Sequence, residues 1–169
     1  MRRALVLILV VLGLFGCDAP QRLDAADGVR AFVIAAESGD RAAFEASIDR
    51  PRLRESLKAQ LRREMAANPE MLARLDTPEG ERAIDAMIVP EAFRLGFNKL
   101  GGLQARAPGA AELALALKME RPDRACLRES PSASRCVLTF ERRGTAWKLV
   151  EVSPTEMRID SDAAGASRA

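Results

Sequence analysis

The sequence predicts an α+β domain in which N-terminal helices pack on a C-terminal antiparallel meander sheet of three to four strands. Three observations lead there. Apolar residues recur at helical spacing from about residue 24 to residue 97. The period changes to alternation beyond a glycine-rich stretch at 101–109, and a turn signal, Arg143-Gly144, separates two alternating runs. Helices first and strands later is the order of an α+β fold, and 169 residues suit one domain.

The first helix carries Val29, Phe32, Val33 and Ala36 on one face, with Asp24 or Asp27 placed to cap its start and Gly39 to end it. Asp40 can cap a second, short helix bearing Ala43, Phe44 and Ile48. Pro51 suits the first turn of a third helix, where Leu53, Leu57, Leu61 and Met65 form a stripe that Asn68-Pro69 breaks. Shorter pieces follow at Met71–Leu75 and from Thr77-Pro78 to Ile88, the latter with Ile84, Met87 and Ile88 inward. Pro90 interrupts again, and Phe93 and Phe97 stand one turn apart beyond it. Residues 101–109, with three glycines and a proline, read as a connection.

Leu113, Leu115 and Leu117 alternate with alanine and lysine, so a strand is expected there, although the alanines suit a helix equally. Ala125–Glu129, Cys136–Glu141 and Ala146–Val152 are strands by alternation. With Arg143 and Gly144 central in the last turn, Arg142 faces Thr145, Phe140 faces Trp147 and Leu138 faces Leu149. The Asp, Ser, Gly and Ala composition of 154–169 is that of a disordered tail.

The leader has a different character. Met1-Arg2-Arg3 is basic, Ala4–Phe15 is apolar or glycine, and Gly16 and Cys17 follow, the pattern of a secretory signal peptide. Ala4–Gly16 as a helix would reach roughly 20 Å, short of a ~30 Å hydrocarbon layer. Leu14-Phe15-Gly16-Cys17 resembles the lipobox of bacterial lipoproteins. That resemblance implies cleavage before Cys17, a diacylglyceryl group on its thiol and an acylated amine such as a palmitoyl one, which together make a firm anchor. The alternative is an ordinary secretory cysteine, but ordinary cleavage prefers a small residue where Leu14 stands. Asp18 resembles the inner-membrane retention signal of enteric lipoproteins. The expected organisation is therefore a signal peptide (1–16), a lipidated cysteine and tether (17–25), one α+β domain (26–153) and the tail. The expected location is the bacterial cell envelope, facing the periplasm.

Lys and Arg number 26 against 24 Asp and Glu, and Arg2 and Arg3 account for the whole excess. A neutral mature chain argues against nucleic acid as a partner. The absence of histidine and tyrosine removes the commonest general base and metal ligand. Neither a Gly-x-Ser-x-Gly elbow nor a phosphate-cradling loop occurs. Glu37, Asp40, Glu45, Asp49, Asp85 and Glu91 offer carboxylates, yet no spacing selects a catalytic pair. Phe32, Phe44, Phe93, Phe97, Phe140 and Trp147 are core candidates; the other reading is a lining for an apolar ligand pocket. No enzyme activity, cofactor or metal is expected.

Two further features are candidate sites. A turn near Pro131 places Cys126 opposite Cys136, on the face of Leu138 and Phe140, where export would allow a disulfide; two buried reduced thiols are the alternative. Arg54, Lys58 and Arg62, four apart on one helix side, are candidates for contact with anionic headgroups. The alternative is a solvated face neutralised by Glu55, Asp76, Glu79, Glu81 and Asp85.

Two stretches carry a resemblance. They are Gly39-Asp40-Arg41-Ala42-Ala43-Phe44 leading to Ile48–Leu61, and Leu138-Thr139-Phe140-Glu141-Arg142-Arg143-Gly144-Thr145-Ala146-Trp147-Lys148-Leu149. Both resemble the bacterial envelope family known as domain of unknown function 2939, over roughly residues 28–153. The chain departs from it at Arg50, where the family often has an aromatic residue, and in its lipobox cysteine. The resemblance implies a single α+β domain behind a leader or membrane segment, with no assigned activity. The expected role is a non-catalytic interaction or structural module with an envelope protein partner, and a carrier of an apolar ligand is the alternative.

Overall fold

A computed structural model describes residues 19–93, 108–128 and 132–153. Its helices are α1 (Ala19–Ser38), α2 (Arg41–Ala46), α3 (Arg50–Glu64), α4 (Pro69–Leu75), α5 (Pro78–Met87) and α6 (Ala110–Ala116), with residues 90–93 also helical. The strands β1 (Leu117–Arg121), β2 (Arg124–Arg128), β3 (Cys136–Arg143) and β4 (Ala146–Val152) form one antiparallel sheet in the order β1-β2-β3-β4. This is the α+β meander that the sequence predicts.

Local chemistry places most helix ends. Gly39 takes φ +69° after α1, a conformation that costs other residues a steric clash. Asp40 then accepts the Ala43 N–H at 3.0 Å, satisfying a donor the first turn of α2 leaves free. Asp49, Asn68 and Thr77 do the same for α3, α4 and α5, and a proline lies in the first turn of each.

The core lies between α1 and one face of the sheet. Val29, Phe32, Val33 and Ala36 are fully buried, as their spacing predicts. Phe32 stacks within 5.4–5.6 Å of Phe44, Phe93 and Phe140. Leu53 and Leu57 bring α3 into the same core. The entry to α3 also closes the free edge of β4: Leu149 N donates to Ser47 O and Asp49 N to Leu149 O, each at 2.9 Å. Gln60 Nε2 ties the far end of α3 to the Val152 carbonyl.

Four local expectations are corrected. α1 starts at Ala19 instead of at a cap on Asp24 or Asp27, so most of the expected tether is helix; Pro20 is tolerated in a first turn, and burial of Ala25 and Ala26 holds the segment down. Leu113–Ala116 belong to α6, since Gly109 N–H donates to the Glu112 carboxylate at 2.9 Å and starts a helix before the alternation can act. The last turn centres on Gly144 and Thr145, with Gly144 at φ +62°, so Arg143 pairs with Ala146, Arg142 with Trp147 and Phe140 with Leu149. Shifting the turn by one residue moves the partners of Arg142 and Phe140 by two places and keeps the buried face, which is why the pattern alone did not distinguish the registers; a further slip between Thr139 and Phe140 sets Leu138 opposite Val152 instead of Leu149. Ile48 and Ala43 are outside the inner face of α2: Ile48 follows the helix, buried at its parallel bridge to Leu149, and Ala43 is exposed. Phe97, the connection at 101–107 and the tail lie outside the described residues, as does the leader.

Candidate functional site

Cys17 lies outside the described residues, two positions before α1. Among the described residues, no helix is long and apolar enough to cross a membrane.

Alternation puts Thr139 and Glu141 of β3 on the face turned away from Phe140, together with Arg124 and Cys126 of β2. On that outer face Cys126 and Cys136 form a disulfide with Cα atoms 5.4 Å apart. Closing this small loop stabilises the fold by about 3 kcal/mol in the chain-entropy picture. The two cysteines are not cross-strand partners, however. Cys126 pairs with Thr139 and Cys136 with Arg128, because the register slips between Leu127 and Arg128. The slip also takes Cys136 off the face of Leu138 and Phe140. Glu120 Oε1 stands 3.7 Å from Cys136 Sγ, and the three side chains have metal-ligand spacing. While the bridge stands its sulfurs are not thiolates, the form a metal needs.

Glu141, which no expectation singled out, is the electrostatic centre of the outer face. Its side chain is 7% exposed, and it accepts from Arg52 of α3, from Arg124 and, at 2.7 Å, from Arg143, with Arg121 at 3.7 Å. One carboxylate thus joins α3, the end of β1, β2 and β3. Burial works against the charge of Arg124, but hydrogen bonds to Glu120 and Glu141 outweigh it and hold its pKa above the ordinary value. The signal for Glu141 was an acid in phase with Thr139 inside an otherwise apolar strand.

The basic side of α3 faces α5 and the α4–α5 turn. Arg54 makes a bidentate contact with Asp85 at 2.8 Å, Lys58 reaches Glu81 at 3.0 Å and Arg62 reaches Asp76 at 2.7 Å. Lys58 is buried, and its bond to Glu81 raises its pKa against the opposing effect of desolvation. The acids named from sequence as the alternative partners of this row, Asp76, Glu81 and Asp85, therefore hold it. Arg50 extends the row by pairing with Glu45, whose carboxyl its hydrogen bond holds below the usual carboxylate range although burial acts the other way.

Three other candidate carboxylates, Asp40, Asp49 and Glu91, are similarly engaged. Asp40 and Asp49 cap helices, Asp49 also lies 3.4 Å from Arg143, and Glu91 lies 3.6 Å from Arg41. Asp24, expected to be a cap, accepts the Trp147 indole N–H at 2.8 Å. The aromatic candidates Phe32, Phe44, Phe93 and Phe140 pack on one another as core.

Residues 26–95 match the model of a family described as Protein of unknown function (DUF2939). The match takes in most of α1 and all of α2 to α5, including the stretch from Gly39 to Leu61; the sheet, with the second stretch that carried the resemblance, lies outside it. No curated protein and no solved structure matches the chain.

Proposed function

We propose that this chain is a lipid-anchored protein of the bacterial cell envelope, facing the periplasm and acting as a non-catalytic interaction or structural module. In this reading it belongs throughout to the family its helical half matches. The observation that carries the reading is Cys17 at the end of a basic, apolar leader in the context Leu14-Phe15-Gly16-Cys17. Asp18 favours the inner membrane.

The arrangement of the domain supports a module that holds or is held. Its most buried charged groups join elements to one another, as at Glu141 and between α3 and α5. Large apolar side chains remain exposed on the neighbouring helices α1 and α6, namely Ile34 and Leu115, the latter 69% exposed. Such residues suit a protein partner better than a reaction.

The test is metabolic labelling with palmitate in a producing bacterium. The wild-type chain incorporates label and, on intact mass, begins at Cys17 with its acyl groups. Cys17→Ser incorporates none. A wild-type protein that keeps its leader and takes no label overturns the reading.

A further inference from the structure

Almost no slack joins the expected anchor to the fold. Two peptide units separate Cys17 from Ala19 and span at most about 7 Å. From Ala19 the chain is an unbroken helix to Ser38. The helix rises only about 7.5 Å over the five residues to Asp24, where it is fastened to the sheet. Asp24 accepts from Trp147 Nε1 at 2.8 Å and lies 3.5 Å from Arg142. Ala25 and Ala26 are fully buried, and Gly28 packs so closely on Trp147 that a Cβ there would stand 2.5 Å from the Trp147 Cβ.

That fastening selects one end of the molecule. Trp147 follows the β3–β4 turn directly, and Arg142 N donates to Asp123 O at 2.8 Å, which sets the β1–β2 turn beside it. Both turns therefore lie at the α1 N-terminal end. The sum of helix rise and linker reach, about 15 Å, is less than half the ~35 Å diameter of a domain of this size. An acylated Cys17 cannot let that end swing away from the bilayer.

We infer that this end, residues 121–123 with Arg142 to Ala146, is the surface through which the anchored protein rests on lipid headgroups. The inference depends on the lipid anchoring proposed above. All these residues are exposed. Arg121 and Arg142 keep 59% and 43% of their side-chain surface while touching acids at 3.5–3.7 Å, and Arg143 keeps 41% although it donates to Glu141 at 2.7 Å and lies 3.4 Å from Asp49, so each retains N–H donors for phosphate oxygens. Leu23, 48% exposed near the start of α1, is positioned to enter the interface. The row Arg54, Lys58 and Arg62 lies along α3 and is occupied by α5 and the α4–α5 turn. Since α3 starts beside Leu149 and has reached Val152 by Gln60, it runs away from the hairpin end and carries α4, with Glu70, to the far side.

The test uses the full, acylated protein in vesicles of phosphatidylcholine with phosphatidylglycerol and a nitroxide-headgroup lipid. A fluorophore is attached at Thr145→Cys, Glu70→Cys or Arg62→Cys. Headgroup quenching severalfold stronger at position 145 than at 70 and 62 is the expected result. Equal quenching, or stronger quenching at 62, overturns the contact surface while flotation with the vesicles leaves the anchor standing. A wild-type chain that does not float with neutral phosphatidylcholine vesicles overturns the anchor and the surface together.

Discussion

On the face of the sheet turned towards α1, the side chains of Phe140, Leu149 and Trp147 pack on helix residues, with the indole hydrogen bond to Asp24 and the half-exposed Arg142–Asp24 pair at 3.5 Å as polar ties at its rim. On the opposite face, a disulfide and a carboxylate shared among arginines hold β1, β2, β3 and the start of α3. Dispersion and the hydrophobic effect are spread over many atoms and are not weakened by ionic screening. Ionic ties are concentrated in a few atoms, and their strength depends on how much water reaches them. The same sheet therefore has one face held mainly by attractions that salt can screen and one held mainly by burial, which it cannot.

The largest effect is expected from the inner face. Phe32→Ala removes the ring packed on Phe44, Phe93 and Phe140 and should destabilise the domain by about 3–5 kcal/mol. Urea unfolding measures it, and the loss should not shrink in molar salt. Glu141→Gln breaks the outer hub while keeping its shape. The arginines it releases are partly solvated, so the loss should be about 1–3 kcal/mol, below that of a fully buried pair. Unlike the inner variant, it should shrink in molar salt, where the Debye length falls to about 3 Å. A Glu141→Gln loss unchanged by salt would erase the distinction between the two faces.

The smallest effect belongs to the half-exposed pair Glu45–Arg50 at the surface. A carboxyl with its folded pKa below the ordinary 4.5 adds stability above that value and loses it as pH falls through the folded value. Glu45→Gln should therefore cost at most about 1 kcal/mol at neutral pH. The difference from wild type should close as unfolding is measured at progressively more acid pH. A gap that widens towards acid would reverse the assignment of Arg50 as the dominant influence.

The sites divide along the same line. The disulfide partners were legible because only two cysteines remain once Cys17 is set aside, while their relative placement was not, since it depends on a slip in the β2–β3 pairing. The row on α3 was legible as a row of bases. What it touches was settled by α5 folding back beside it, so that a stripe readable as a lipid contact is an internal seam. Glu141 was hidden because Arg52 lies 89 residues away from it in sequence.

By itself the sequence determined the helix-then-strand order, the caps and breaks at Asp40, Pro51 and Asn68-Pro69, and the three later strands. These depend on near neighbours, whose spacing sets hydrogen bonds and burial directly. Tertiary structure alone decided where α1 begins, which end of the sheet lies beside that start, the register of the last hairpin and the partners of Glu141. Each of these is a choice between locally equivalent arrangements, and contacts such as Trp147 with Asp24, 123 residues apart, make it.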